Sequence, residues 1–357
     1  MRLLPTMLGL FAAANVALAA AAEPTADDYR RLNLELVDAV VLPAYARLAD
    51  SAAALDAQAT RLCAADGSLD ATRAAWGEAF DAWQGVQHLR FGPVELFMRS
   101  MRMQFWPDPR NSVAREVDGL LAKGAPTPSF DELTVPAQGF PALEVLLYGE
   151  PPAPGTPACA LLTTIAGGVA KMAADTLGGW RGGERPYREV VAQAAAGTSH
   201  YQSDQEVTQD FFKAAHAALE LIADHKLARA LGSSVDTARP QLVESARSGR
   251  SVANIRANLA AAEALYVGGD DTGGFSRIVR EVAGDAALDK LLRRAFRQTR
   301  GTAASITLPL AQAVVDPVER IKVQKLAREA GALKALLAQR LAPALGIALG
   351  FNSLDGD

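Results

Sequence analysis

Trp76, Phe80, Trp83 and Gln87 step along the chain by three or four residues, the spacing that lays side chains on one face of a helix. Leu32, Leu36, Val40, Leu48 and Leu55 repeat at mostly the same interval, with Pro43 placed to kink a long first helix. Alanine is abundant, aromatics make up only 6%, and Gly and Pro punctuate the chain instead of forming a low-complexity tract. These features predict an all-α fold. Further helices are expected over 112–121, 159–180, 187–196, 204–231, 241–266, 275–299, 303–313 and 317–345, with Ser68 opening the aromatic one and Gly92-Pro93 ending it. A break near 197–203 divides the chain into 23–200 and 201–357, each with enough helices for a four-helix-bundle-like half packed on the other.

Residues 1–22 place Arg2 before an apolar run that closes on small residues, at Ala17-Leu18-Ala19 or Ala20-Ala21-Ala22. This pattern reads as a cleavable signal peptide, too short in its apolar core to span a bilayer. No cysteine stands nearby to carry a lipid, so the expected location is periplasmic or otherwise exported. No later segment reads as a span, and no stable membrane span is expected once the signal is removed. The 36 basic residues are outnumbered by 40 acidic ones, without a Lys/Arg block, which argues against nucleic acid as a partner. In an oxidising compartment Cys63 and Cys159, the two cysteines, are expected to pair.

Recognised catalytic signatures are missing. The four histidines do not form His-Glu-x-x-His, and the chain has neither a Cys-x-x-Cys pair nor a Gly-x-Ser-x-Gly elbow. The glycine run at 268–274 follows no strand and lacks a Gly-Lys-Ser/Thr ending, so it reads as a loop between helices. Glu144 is the unusual group, a lone carboxylate in the apolar opening of a helix. Burial demands for it a partner, a hydrogen bond or a metal. Pro141 suits the first turn of that helix, and the helix end favours a carboxylate there. Arg90 beside a Gly-Pro break and Asp108 between two prolines complete a candidate polar set. An arginine could hold either carboxylate in a bidentate pair. The set fits either a ligand pocket between helices or a buried ion-pair network.

The segments around these residues, Trp83 to Pro93, Phe105-Trp106-Pro107-Asp108, Gly139 to Glu144, Glu244 to Ser248 and the closing Gly350 to Asp357, resemble the imelysin-like family. Members typically carry Gly-x-His-x-x-Glu where this chain has Gly139-Phe140-Pro141-Ala142-Leu143-Glu144, so Pro141 stands in the place of the histidine. The resemblance implies two four-helix bundles, export, and a site near their junction drawing on Arg90, Asp108, Gly139, Glu144 and Ser248. It implies iron or another divalent metal as a possible cofactor, with Glu144 a possible ligand and Asn352 and Asp355 possible oxygen donors. Iron-uptake components of the cell envelope are the implied partners. Three readings follow: a non-catalytic binding protein of bacterial iron acquisition, a metal-dependent peptidase, or an interaction protein that has lost its metal site.

Overall fold

A computed structural model describes residues 23–123, 126–197, 200–271 and 273–348. The signal-peptide reading of 1–22 and the expected donors Asn352 and Asp355 lie outside the described residues. Helices dominate and no strand occurs among the described residues, which bears out the all-α expectation.

Helices α1 (Ala26–Leu36) and α2 (Leu42–Cys63) form one continuous rod, joined by a wider π turn over Val37–Val41. Thr25 caps its start in a reciprocal capping box with Asp28. A proline inside a helix clashes with the carbonyl four residues back and lacks a donor. Here the turn before Pro43 is widened, and the Leu42 N–H reaches Val37, so the rod passes Pro43 unbroken. The same device precedes Pro343, where a π turn over Leu337–Leu341 leads into the last helical turn.

There follow α3 (Leu69–Gln84), α4 (Arg99–Met103), α5 (Ser112–Ala122), α6 (Gly139–Tyr148), α7 (Pro157–Arg181) and α8 (Tyr187–Ala192). The later part comprises α9 (Asp204–Glu220), α10 (Arg229–Leu231), α11 (Ser251–Val267), α12 (Gly274–Arg277), α13 (Ala286–Ser305), α14 (Leu310–Ala313), α15 (Glu319–Leu336) and α16 (Ala342–Ala344). Helices α2, α3, α6 and α7 pack on one another, as do α9, α11, α13 and α15. The groups meet where α3 lies on α11 and where α1 crosses onto α9. At that crossing Asn33 donates to the Asp204 carbonyl at 2.7 Å and accepts from Thr208 at 2.7 Å. One contiguous apolar core runs through both groups.

Helix α7 is long and apolar enough to cross a membrane by length and composition, which corrects the reading that no later segment is. Its apolarity serves packing: Leu161, Leu162, Ile165, Val169 and Trp180 are buried within the protein. The expected bridge is present, joining Cys63 at the end of α2 to Cys159 in the first turn of α7, with Cα atoms 5.5 Å apart. Among the described residues of the glycine run, 268–271 and 273 lie outside the helices, as expected, and the first residue of α12 holds the protein's own Glu35: the Gly274 N–H donates to Glu35 Oε1 at 2.6 Å.

The expected helix over 241–266 starts ten residues late. Pro240–Leu242 is a short 3-10 turn, Ser245 and Gly249 take left-handed backbone angles of +52° and +71°, and α11 begins only at Ser251. A serine in that region is uncommon and marks a constrained segment. This non-helical stretch lies over the candidate site.

Candidate functional site

A cavity of about 150 Å³ opens between the two helix groups, with Phe80 and Trp106 as apolar walls. Asp108, Glu144, Glu244, Arg229 and Arg247 bring acidic and basic side chains to it, and His225 adds an imidazole. Glu144 comes from the second turn of α6, because the helix begins two residues before Pro141, at Gly139, and the carboxylate therefore sits beyond the first turn where the helix end was expected to favour it. The helix can start where it does because Gly139 has φ +73° and packs directly under the α4 carbonyls; a Cβ there would stand 2.2 Å from the Met103 oxygen. Gly139 thus sets the position of Glu144 and is not itself a ligand.

Glu144 is 8% exposed. Its Oε1 accepts from the Ser248 N–H at 2.8 Å and from Ser248 Oγ at 2.7 Å. Burial pushes its carboxyl pKa up, and the two Ser248 hydrogen bonds act against that shift. Both bonds fall on Oε1, so Oε2 has no protein donor among the described residues. Asp108 lines the same cavity, with its Oδ2 accepting from the Val113 N–H in the first turn of α5 at 2.8 Å.

Arg90 is not in this assembly. It is exposed, and its Nε donates to the Gln87 carbonyl within its own turn at 2.8 Å. The bidentate pair with Asp108 or Glu144 is therefore absent: the chain turns at Gly85 to Leu89 and carries Arg90 outward. The structure brings together Asp108, Glu144 and Ser248, with Gly139 beneath them.

Beneath the cavity lies a network that the sequence did not disclose. Lys226 and Glu244 are buried and paired at 2.8 Å. The Lys226 ammonium also donates to Gln84 Oε1 and Asn258 Oδ1, each at 2.7 Å, which satisfies its three protons. Glu244 accepts from Gln104 and Asn254, each at 2.5 Å, and Trp83 donates to Gln104 at 2.7 Å. Burial pushes the Lys226 pKa down against the pull of Glu244. Trp83, Gln84 and Gln104 come from the first part of the chain, and Lys226, Glu244, Asn254 and Asn258 from the second. The π segment Leu221–Ala228 carries Lys226 to its buried position. A usable signal existed in Asn254 and Asn258, four residues apart on the same helix face as the apolar Ile255 and Leu259.

Among the described residues no three His, Cys, Asp or Glu side chains gather closely enough to hold a metal ion. Pro141 offers no donor, Glu144 Oε1 is taken by Ser248, and Asp108 Oδ2 caps a helix. This donor set does not fit a catalytic metal, which usually has three protein ligands and an open position. What the arrangement provides is a small polar cleft able to hold a molecule through carboxylate oxygens and guanidinium groups.

Fold and site together define an all-helical protein with a charged cavity set between two groups of four helices. The chain belongs to the imelysin family, whose sequence pattern it matches over 41–340. It is 26% identical over 238 residues to the iron-regulated protein A of Synechococcus elongatus, a match covering 65% of this chain and 62% of that protein. The matched stretch is thus less than two thirds of that relative's length. An imelysin-like protein from Psychrobacter arcticum 273-4 has the same fold, with a TM-score of 0.78 at 22% identity over 93% of this chain and all of that one. So does a protein designated an iron-regulated protein A precursor from Parabacteroides distasonis ATCC 8503, with a TM-score of 0.72 at 16% identity over 88% and 95% of the two chains.

The charge state of Glu144 gives a measurable pH dependence. A carboxyl whose folded pKa exceeds its unfolded value stabilises the fold most below the unfolded pKa, and that contribution is lost as pH rises through the folded pKa. Glu144→Gln keeps an oxygen acceptor for Ser248 and removes the ionisation. Melting curves of both proteins from pH 4 to pH 8 are therefore expected to diverge, with the variant losing less stability as pH rises. Parallel curves would show that Glu144 ionises in the fold without penalty.

Proposed function

We propose that this protein is exported and acts in bacterial iron acquisition by binding, without hydrolysing a substrate. The observation that carries the reading is the state of the motif glutamate. Glu144 is committed to Ser248 from the other half of the chain, and a proline stands where the resemblance places a histidine. The relatives named iron-regulated protein A, one of them a precursor, support the link to iron and to export. The mixed charges of the cavity suit a ligand held by several weak polar contacts better than one activated by a metal-bound water.

The test uses mature protein purified from the periplasm. Its melting temperature is expected to rise with ferrous or ferric iron species, and the protein is expected to leave casein intact with or without added divalent metal. Chelator-sensitive cleavage that disappears in Glu144→Gln would replace this reading with that of a metallopeptidase. No response to any iron species would favour the interaction-protein reading.

A further inference from the structure

A second and larger concavity, about 1080 Å³, lies away from the Glu144 cavity, in the groove bounded by α2, α3 and α11. The α11 wall is a stripe of Ala253, Ala257, Ala260 and Ala264, spaced by three or four residues and at least partly exposed. Small residues keep the groove open. Leu89 and Val40 add apolar surface at its floor and opposite wall.

Besides Asp81 Oδ1, which has no hydrogen-bond partner of its own, two groups on the walls of this groove lack protein partners. His88 is 6% exposed, lines the groove, and its Nδ1 has no hydrogen-bond partner. Burial, with Arg90 adding to it, holds the His88 pKa at about 4, so the imidazole is neutral at ordinary pH. A buried polar atom left unpaired costs stability, and binding sites are where such a cost persists. Arg47 is the second group. Its guanidinium lies across Gly85, with Nη2 3.2 Å from where a Gly85 Cβ would stand, and it makes no ion pair among the described residues.

The other charges of the groove are partly committed, with Asp81 paired through Oδ2 alone and its Oδ1 left without a partner. Asp81 pairs with Arg250 at 2.5 Å, and Arg256 donates to the carbonyls of Ala303, Ala304 and Ile306. Glu78 is exposed and lies about 10 Å from Gly85 along α3, from the helical rise of 1.5 Å per residue. Arg47, set against Gly85 three residues before His88, is thus a cation of this groove without an ion pair, while Asp81 already holds one with Arg250. An apolar trough with a few convergent polar groups has the make-up of a small-molecule site.

We infer that this groove is a second ligand site, which takes an organic anion with an apolar body: the acid group lies on Arg47, a polar atom meets His88, and the body lies on the alanine stripe. It is independent of the Glu144 cavity and of the role proposed for it.

The probes are 8-anilinonaphthalene-1-sulfonate and its uncharged relative N-phenyl-1-naphthylamine, titrated by fluorescence into folded, disulfide-intact protein. The sulfonate is expected to bind at one site per chain. Arg47→Gln should weaken it by about tenfold or more while leaving the uncharged probe nearly unchanged, since a lost charge-assisted contact is selective for the anion. Ala260→Trp, at an exposed position, should exclude both probes, and Glu144→Gln should affect neither. Melting temperatures of the variants near that of the parent exclude misfolding as the cause. The inference is overturned if the sulfonate fails to saturate, or if it binds equally well to Arg47→Gln and to Ala260→Trp.

Discussion

Lys226→Met is expected to lower the stability of the folded protein by about 3–5 kcal/mol, the usual cost of breaking a buried ion pair from one side. The ammonium sits among Gln84, Glu244 and Asn258 with its side chain 1% exposed, and Glu244 is equally enclosed at 3%. Methionine fills most of the same volume, so the loss is electrostatic and not a cavity effect. It leaves the Glu244 carboxylate with neutral amide donors from Gln104 and Asn254 and no cation. Urea unfolding at pH 7 measures the loss. The double variant Lys226→Met with Glu244→Gln separates pairing from packing, because replacing both partners removes the stranded charge. More than half of the lost stability should return in it. A single variant within about 1 kcal/mol of the parent would mean that water reaches Glu244 and that the network does not fasten the two helix groups.

Glu144 was legible because a lone carboxylate in an apolar helix opening is an anomaly that burial must resolve, and Ser248 resolves it. Apart from the spacing of Asn254 and Asn258, the Lys226 network was illegible for a related reason. Lysine and asparagine on helices read as solvated positions unless the phase of the helix is known, and the π segment Leu221–Ala228 alters that phase locally. The stretch 241–250 was misread in the opposite direction. Leu242, Val243 and Ala246 fit a helical interval, yet Ser245 and Gly249 need left-handed backbone, and a serine does not announce that need as a glycine does. Arg90 failed as a partner because neighbourhood in sequence was taken for convergence in space. Its turn directs it to solvent, while His88, two residues earlier, turns inward. Periodicity thus revealed the helices and their apolar faces. The irregular segments between them, which bring Glu244 and Ser248 to the cavity, depend on tertiary contacts that no local pattern encodes.

Replacing both bridge cysteines, Cys63→Ser with Cys159→Ser, is expected to cost about 2–5 kcal/mol, or roughly 3–7 °C in melting temperature for a chain of this size. The cysteines are 96 residues apart in sequence, and in the chain-entropy account a loop of about that length contributes roughly 4–5 kcal/mol by restricting the unfolded chain. The enclosed stretch holds α3 to α6, and so Trp83, Gln84 and Gln104 of the polar network together with Asp108 and Glu144 of the cavity. Helices α2 and α7 pack on each other without the bridge, so the serine variant should reach the same fold with a less restricted unfolded state. Differential scanning calorimetry with and without reductant distinguishes this from a packing defect. The parent should fall to the level of the variant on reduction, while the variant should not respond. A reductant effect of equal size in both proteins would place the loss outside the bridge. A parent that keeps its melting temperature with the bridge demonstrably reduced would show that the long contact of α2 with α7 already holds this loop closed in the unfolded ensemble.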